Sequence, residues 1–217
     1  MIISLINQKG GVGKSALARA LSVEFARNGW RVHAADLDRA QQTFFNWSSR
    51  RADAGYKPEI ESALYANPGS ALKAAQNTDL LIVDGKAFAD THALEIAKAS
   101  DLIIIPVGIS VDDLEPSLKL AVELINKGIK KEKIVFVVCR VPDNGEREAN
   151  STRSSIQAWG FDVTEGWIPF KPSYSQAMDK GLAFTETHFN SMNEKADRII
   201  EQLFNKVIKQ YNETPEN

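Results

Sequence analysis

The sequence contains little of what several classes of protein require. Cys139 is the single cysteine in 217 residues, so an internal disulfide cannot form and a reducing cytoplasmic compartment is expected. The three histidines, His33, His92 and His188, do not have the spacing of a metal site. No apolar stretch approaches the length of a membrane span, and no charged-then-apolar leader opens the chain. Disulfide-stabilised, zinc-binding and membrane-spanning classes are therefore not predicted.

An excess of one charge is also missing. The chain has 26 Lys and Arg against 28 Asp and Glu, which gives a formal net charge of −2. Any nucleic-acid surface must therefore be local, because the bulk charge does not attract a polyanion. Hydrophobic residues make up 43%, which is typical of globular proteins. Since no repeat or low-complexity linker divides the chain, we predict one domain over 1–217, with a disordered tail at about 213–217.

Short apolar runs alternate with helical patterns along the whole chain. Strands are predicted at 2–6, 30–35, 60–65, 80–83, 102–105, 134–139 and 163–168. Helices are predicted at 16–25, 41–54, 68–77, 93–99, 113–126, 146–159 and 190–211. Near-continuous apolar strands between helices indicate an α/β fold, with a mostly parallel twisted sheet covered by helices on both faces.

The segment 8–15, between the first strand and the first helix, contains the strongest functional signal. Its three glycines allow successive backbone N–H groups to converge on phosphate oxygens, because no Cβ obstructs them. The following helix N-terminus adds free donors and a positive dipole end. Lys14 is predicted to reach the β- and γ-phosphates, and the Ser15 hydroxyl to ligate Mg²⁺. The nucleotide-binding residues predicted in this region are Lys9, Gly10, Gly11, Val12, Gly13, Lys14, Ser15 and Ala16.

Carboxylates follow two of the predicted strands. Asp84 directly follows the apolar strand 80–83, and its carboxylate is predicted to hold Mg²⁺ through water. Asp36 and Asp38 follow the second strand. In a parallel sheet, ligands gather beyond the carboxyl ends of the strands, so these acidic groups are expected to converge with the phosphate loop. The sequence therefore predicts a site for ATP or ADP with Mg²⁺.

The run from Lys9 to Ser15 resembles the deviant Walker A box of the ParA/MinD family of ATPases. The resemblance implies a P-loop NTPase fold and an ATP-dependent nucleotide-sandwich homodimer. In that dimer, Lys9 would reach the phosphates held by the other subunit, and Lys9 and Lys14 would both act in catalysis. Asp38 would orient the attacking water, and Asp36 would support the Mg²⁺ shell. Pro169 and Phe170 would pack on the adenine.

Two segments depart from the family's pattern. The residues after Asp38 are Arg39-Ala40-Gln41, where Pro-Gln is usual. Asp84 is followed by Gly85-Lys86-Ala87, and Lys86 is either a phosphate sensor or a solvent-exposed lysine. The Asp-Gly pair and the segment 46–48 resemble the short, ParF-like plasmid-partition ParA proteins.

The leading hypothesis is a ParA-type ATPase that partitions or positions a plasmid, chromosome or other cargo. The resemblance implies a cytoplasmic, nucleoid-associated protein that binds DNA non-specifically and is stimulated by a ParB-like or cargo-adaptor protein. Lys127, Lys130, Lys131 and Lys133 form either a phosphate-binding edge or a solvated loop.

Two other functions are considered. One is a MinD-like membrane-surface ATPase, but the charges from 194 to 213 balance at four acidic and four basic residues, so no membrane contact is expected. The other is a metabolic enzyme that uses ATP to activate a small acid. Lys9 argues against it, because a single-subunit transfer enzyme has no evident use for that cation.

Overall fold

The structure is a computed structural model that describes residues 1–85 and 91–213. Its strands are β1 (Ile2–Leu5), β2 (Val32–Asp36), β3 (Glu61–Leu64), β4 (Leu80–Asp84), β5 (Leu102–Val107), β6 (Ile134–Val141), β7 (Asp162–Val163) and β8 (Ile168–Pro169). Its α-helices are α1 (Lys14–Arg27), α2 (Thr43–Asp53), α3 (Pro68–Ala74), α4 (Thr91–Ala99), α5 (Val111–Asn126), α6 (Glu146–Ala158), α7 (Pro172–Asp179) and α8 (Asn190–Glu213). Lys86 and the tail residues 214–217, about which the sequence made predictions, lie outside the described residues.

The strands form a parallel sheet in the order β3-β2-β4-β1-β5-β6-β7, with β8 also pairing with β6. One face is covered by α1, α2, α7 and α8, and the other by α3, α4, α5 and α6. The central strands are apolar on both sides because both of their faces are buried. The predicted α/β fold is therefore confirmed, with β1 between β4 and β5 at its centre.

Two strand predictions were wrong, and one helix was missed. The predicted strand 163–168 is two short strands, β7 and β8, which pair with different parts of β6. Strand β5 continues through Pro106, which was predicted to end it. A proline is tolerated there because β1 has already ended at Leu5, and the Asn7 side chain supplies the donor to the Pro106 carbonyl at 2.7 Å. Helix α7 was not predicted.

The C-terminal helix α8 packs on the sheet through its apolar stripe. Ile199, Ile200, Leu203 and Val207 are buried in the same core as the apolar face of α1. This burial confirms the prediction that the stripe covers the sheet. Of the helices in residues 1–85 and 91–213, none is sufficiently long and apolar to cross a membrane.

Helix α2 is held to the rest of the fold by a buried arginine. The Arg51 side chain is fully buried, and it donates to the Pro58 carbonyl at 2.8 Å and to the Gly181 carbonyl at 3.1 Å. It also donates twice to the Glu186 carboxylate, at 2.7 and 3.1 Å. Every nitrogen of its guanidinium therefore has an acceptor, as a buried cation requires.

Replacing Arg51 with alanine is expected to lower the free energy of unfolding by about 3–5 kcal/mol, because three carbonyls lose a donor and Glu186 loses two hydrogen bonds. Urea denaturation measures the loss. Arg50→Ala, at the exposed neighbouring position, should change the free energy of unfolding by no more than about 0.5 kcal/mol. Equal stabilities of the two variants would contradict the structural role of Arg51.

Candidate functional site

A buried asparagine fixes the start of the glycine-rich loop. The Asn7 side chain donates to the Pro106 carbonyl at 2.7 Å and to the Ser117 hydroxyl at 2.9 Å. Its Oδ1 accepts the backbone N–H of Lys9 at 2.9 Å. Asn7 therefore anchors the loop to β5 and α5. The sequence analysis did not predict this role, because Pro106 and Ser117 are about a hundred residues away from Asn7.

The loop itself has the backbone that its glycines permit. Gly11 and Gly13 have φ angles of 72° and 111°, which residues with a Cβ rarely adopt. Gly13 is the N-cap of α1 and has no side chain with which to cap it. The first-turn N–H groups of α1 therefore remain as donors for an anion at this helix end.

A cavity of about 330 Å³ lies against the loop at the carboxyl ends of β1, β2 and β4. Its lining residues are Gly10, Gly11, Gly13, Lys14, Ser15, Ala16, Arg19, Asp38, Gln41, Thr43, Asp84 and Gly85. The sequence predicted eight of these as nucleotide, metal or catalytic residues, namely the first six, Asp38 and Asp84. The other four lining residues, Arg19, Gln41, Thr43 and Gly85, were not predicted to belong to the site.

Lys14 is a buried cation that uses loop carbonyls as its acceptors. Its Nζ donates to the Lys9 carbonyl at 2.9 Å and to the Asn7 carbonyl at 3.3 Å. Burial lowers the pKa of Lys14, and the negative charges of Asp84 and Asp38 act in the opposite direction. The ammonium group is thus held directly above the loop, within a cavity that also contains carboxylates.

Asp84 at the end of β4 is the most deeply buried acid of the cavity. Its pKa is raised to about 7, mainly by burial. A hydrogen bond with Ser15 and the charges of Arg19 and Lys14 act in the opposite direction and limit the rise. Asp36 lies opposite it in the register of β2 and β4 and adds like-charge repulsion. Among the described residues, Asp84 Oδ1 is one of few buried side-chain atoms without a hydrogen-bond partner. A hydrated cation would satisfy that oxygen.

The donor set fits Mg²⁺ held jointly with phosphate. Ser15 and Asp84 supply a hydroxyl and a carboxylate on one wall of the cavity. Within residues 1–85 and 91–213, no group of three or more His, Cys, Asp or Glu side chains is arranged to hold a metal ion. Mg²⁺ typically takes one or two protein ligands and completes its shell with water and phosphate oxygens, so the site suits a cation that arrives with a nucleotide.

The two aspartates after β2 have different surroundings. Asp36 accepts the N–H groups of Asp38, Phe44 and Phe45 at 2.9–3.2 Å, and its side chain does not line the cavity. It therefore caps the start of α2, and its part in the Mg²⁺ shell stays a prediction. Asp38 lines the cavity, where its Oδ1 accepts the N–H of Gln41 at 3.2 Å.

A second, more apolar cavity of about 240 Å³ continues from the first. The two cavities share Gly11, Gly13 and Ala16. Pro169 and Phe170 line the second cavity, at the position where the sequence analysis put the adenine. Contact between these two residues and a base stays a prediction.

Arg140 lines the second cavity and was missed by the sequence analysis. Its φ angle of 60° is unusual for a residue with a Cβ. Its Nη1 donates to the Gly11 carbonyl at 2.6 Å, and its guanidinium lies 5.0 Å from the centre of the Phe170 ring. The backbone conformation thus aims this side chain at the glycine loop and at the wall of the second cavity.

Lys9 points away from its own loop. Its ammonium forms an ion pair with Asp113 at the start of α5, and its side chain is 46% exposed and absent from the cavity lining. Although burial opposes the shift, hydrogen bonds from Lys9 and Ser110 hold the pKa of Asp113 below its ordinary value. Lys9 is therefore directed towards the protein surface beside the site.

The lysine cluster at 127–133 lies at the opposite edge of the sheet, because β6 begins directly after it. Lys131 donates to the Trp159 carbonyl at 3.1 Å, and Lys133 donates to the Ser100 carbonyl at 2.8 Å. The other two lysines of the cluster are exposed. Half of the cluster is thus engaged with the protein's own backbone.

Comparisons with known proteins agree with this geometry. The sequence profile of CbiA, the CobQ/CobB/MinD/ParA nucleotide binding domain, matches residues 3–184. No curated protein matches the chain in sequence. The fold is similar to that of the cell division ATPase MinD of Pyrococcus furiosus, with a TM-score of 0.74 and 16% identity over 94% of this chain and 98% of that one.

Two other solved structures are similar in fold. One is a putative plasmid partition protein of Borrelia burgdorferi bound to AMPPNP, with a TM-score of 0.72 and 16% identity over 94% of this chain and 98% of that one. The other is Cyanothece McdA without nucleotide, with a TM-score of 0.70 and 15% identity over the same shares of the two chains. The profile match covers most of the 217 residues, and so the chain belongs to the CobQ/CobB/MinD/ParA family of nucleotide-binding domains.

Proposed function

We propose that this protein is a MgATP-hydrolysing ATPase of the ParA type. The observation that supports the proposal is the pair of cavities that meet at Gly11, Gly13 and Ala16. One cavity has the loop, cations and carboxylates that suit phosphates and a metal, and the other has the apolar wall that suits a base. A triphosphate nucleotide fits this division, with its phosphates in the first cavity and its base in the second.

In the proposed mechanism, the Lys14 ammonium exchanges the carbonyls of Asn7 and Lys9 for the β- and γ-phosphate oxygens. Ser15 and Asp84 would hold Mg²⁺, and the bound ion would supply positive charge that neutralises the phosphates. Asp38, on the cavity wall, orients the attacking water. The loop N–H groups stabilise the charge that develops in the transition state.

The proposal includes an ATP-dependent homodimer. Lys9 is exposed beside the site and held by a surface ion pair with Asp113. Exposed ion pairs contribute little, about 0–1 kcal/mol, so Lys9 can leave Asp113 when a stronger anion approaches. The phosphates of a second subunit supply such an anion. Lys9 would then act as a cation delivered in trans, as an arginine finger does.

The proposal also covers the cargo of the protein and its binding partners. The structural neighbours include a cell division ATPase and a putative plasmid partition protein, and MinD of Aquifex aeolicus is recorded in a complex with MinC. We propose that this chain likewise positions or partitions a cargo, binds nucleoid DNA as a dimer, and responds to a ParB-like or other adaptor protein. Closeness to the ParF-like group remains a prediction.

A MinD-like role at the membrane surface is the second candidate. MinD proteins are among the structural neighbours, which favours it. However, the apolar stripe of α8 that would have to enter lipid is buried against the sheet. Lipid binding would therefore require α8 to leave the core.

Lys14→Ala is expected to weaken MgATP binding by about 2–5 kcal/mol, because the phosphates lose a buried cation. Isothermal titration calorimetry measures the change. Lys119→Ala, at an exposed position of α5, serves as the control and should bind normally. Wild-type affinity in Lys14→Ala would contradict the assignment of the phosphate site.

Lys9→Ala should leave MgATP binding by the monomer nearly intact, since its side chain does not line the cavity. ATP should no longer drive dimerisation, because two triphosphates would face each other without the two cations. Light scattering with ATP measures the assembly. Asp113→Ala is the matched control, because it releases Lys9 without removing it, and this variant should dimerise. A Lys9→Ala protein that dimerises and hydrolyses ATP normally would defeat the ParA-type proposal.

DNA binding is tested through the two exposed lysines of the 127–133 cluster. The double variant Lys127→Glu and Lys130→Glu should bind DNA more weakly with ATP, and the log–log salt slope should fall by about one for each lost phosphate contact. Lys57→Glu with Lys119→Glu makes the same charge change elsewhere on the surface. Co-sedimentation with DNA tests the ParA-type function, and separate co-sedimentation with anionic vesicles tests the MinD-like function. ATP-dependent binding to vesicles alone would favour the MinD-like role.

A further inference from the structure

Arg19 is a buried arginine on the wall of the phosphate cavity, one helical turn after Ser15. Its residue is 8% exposed, and its Nη2 donates to the Thr43 carbonyl at 2.6 Å. The guanidinium also lies 5.7 Å from the centre of the Trp47 ring. Because i and i+4 share one face of a helix, Ser15 and Arg19 both face the start of α2.

The bonding of Arg19 differs from that of a purely structural arginine. Arg51, in the same structure, donates from every guanidinium nitrogen. Arg19 Nε, in contrast, is fully buried and has no hydrogen-bond partner among the described residues. An unpartnered buried donor costs about 1–3 kcal/mol, so this arrangement is not optimised for stability. Burial lowers the pKa of Arg19 to about 10, and the Asp84 and Asp36 carboxylates act in the opposite direction.

The bond from Arg19 reaches the loop that carries Asp38. Thr43 is the first residue of α2, and its hydroxyl lies 3.2 Å from the Ser15 hydroxyl. The next two N–H groups of α2 donate to Asp36. The loop 37–42 is therefore fixed at its start by β2 and at its end by Arg19, Ser15 and Asp36. The end of the loop includes Gln42, whose φ of 52° is a strained conformation for a residue with a Cβ.

We propose that Arg19 is a positioning residue for ATP hydrolysis. It holds the Thr43 carbonyl, and through it the end of the 37–42 loop, so that the Asp38 carboxylate stays at the phosphate cavity. This inference rests on the proposed function. Arg19 acts through Thr43 and the loop, so its removal slows the chemical step more than it weakens nucleotide binding.

Arg19→Met retains most of the apolar stem and removes the donors. We expect its kcat to fall by about tenfold or more while KM for MgATP changes by less than about threefold. Arg19→Lys keeps a cation that can reach the Thr43 carbonyl, and it should restore most of the loss. Arg50→Met, at an exposed arginine of α2, is the control and should match the wild type. The Asp38→Ala variant gives the rate of MgATP hydrolysis in the absence of the Asp38 carboxylate.

Hydrogen–deuterium exchange on the nucleotide-free proteins provides a readout that does not depend on hydrolysis. The amides of residues 39–45 should exchange faster in Arg19→Met than in the wild type and in Arg50→Met, since the end of the loop has lost an anchor. If the wild type does not bind or hydrolyse MgATP, the proposed function fails. The exchange rates would still show whether Arg19 anchors the end of the 37–42 loop. Unchanged kcat in Arg19→Met with an active wild type would overturn the inference. So would a rise in KM without a fall in kcat, which would place Arg19 on the nucleotide.

Discussion

The parallel register of β2, β4 and β1 is the constraint on which the candidate site depends. It sets Asp36 opposite Asp84, and Asp84 opposite Leu5, from which the glycine loop departs. Two buried carboxylates are thus brought together at the edge where the loop begins, and burial raises the pKa of each. Such a cluster is costly unless cations or N–H donors compensate for it. The remaining features of the site provide this compensation.

Three of the cations around the loop, Lys14, Arg19 and Lys9, have different partners. Lys14 lies in the cavity with loop carbonyls as acceptors, and Arg19 lies beside Asp84 and binds the start of α2. Lys9 is directed outwards to Asp113, although Lys9 and Lys14 are only five positions apart in the sequence. The Gly10–Gly13 turn separates the two lysines, because its positive φ angles reverse the chain between them. One short segment can therefore present one cation to its own cavity and another to the surface.

Much of the fold could be predicted from apolar patterning, and its failures have physical causes. The run 163–168 is short and irregular. Its pattern therefore does not reveal that two separate strands, β7 and β8, pair with β6 in this region. Pro106 normally ends a strand, yet β5 continues because the neighbouring β1 has stopped and Asn7 replaces the missing partner. Helix α7 begins at Pro172, shortly after Pro169, and its apolar stripe is weak, so its packing through Tyr174 and Ala177 fixes it.

The sequence by itself determined the glycine-rich loop, because the conformation of this loop follows from local backbone freedom: glycines that can reach positive φ lie between an apolar strand and a helical pattern. It also indicated Asp84 and Asp38, since strand ends meet at one edge of a parallel sheet. Only the tertiary structure showed Arg19 and Arg140. Arg19 binds the Thr43 carbonyl and Arg140 the Gly11 carbonyl, 24 and 129 residues away. Such contacts depend on distances in space, which the packing of α1, α2 and β6 sets and which no local pattern records.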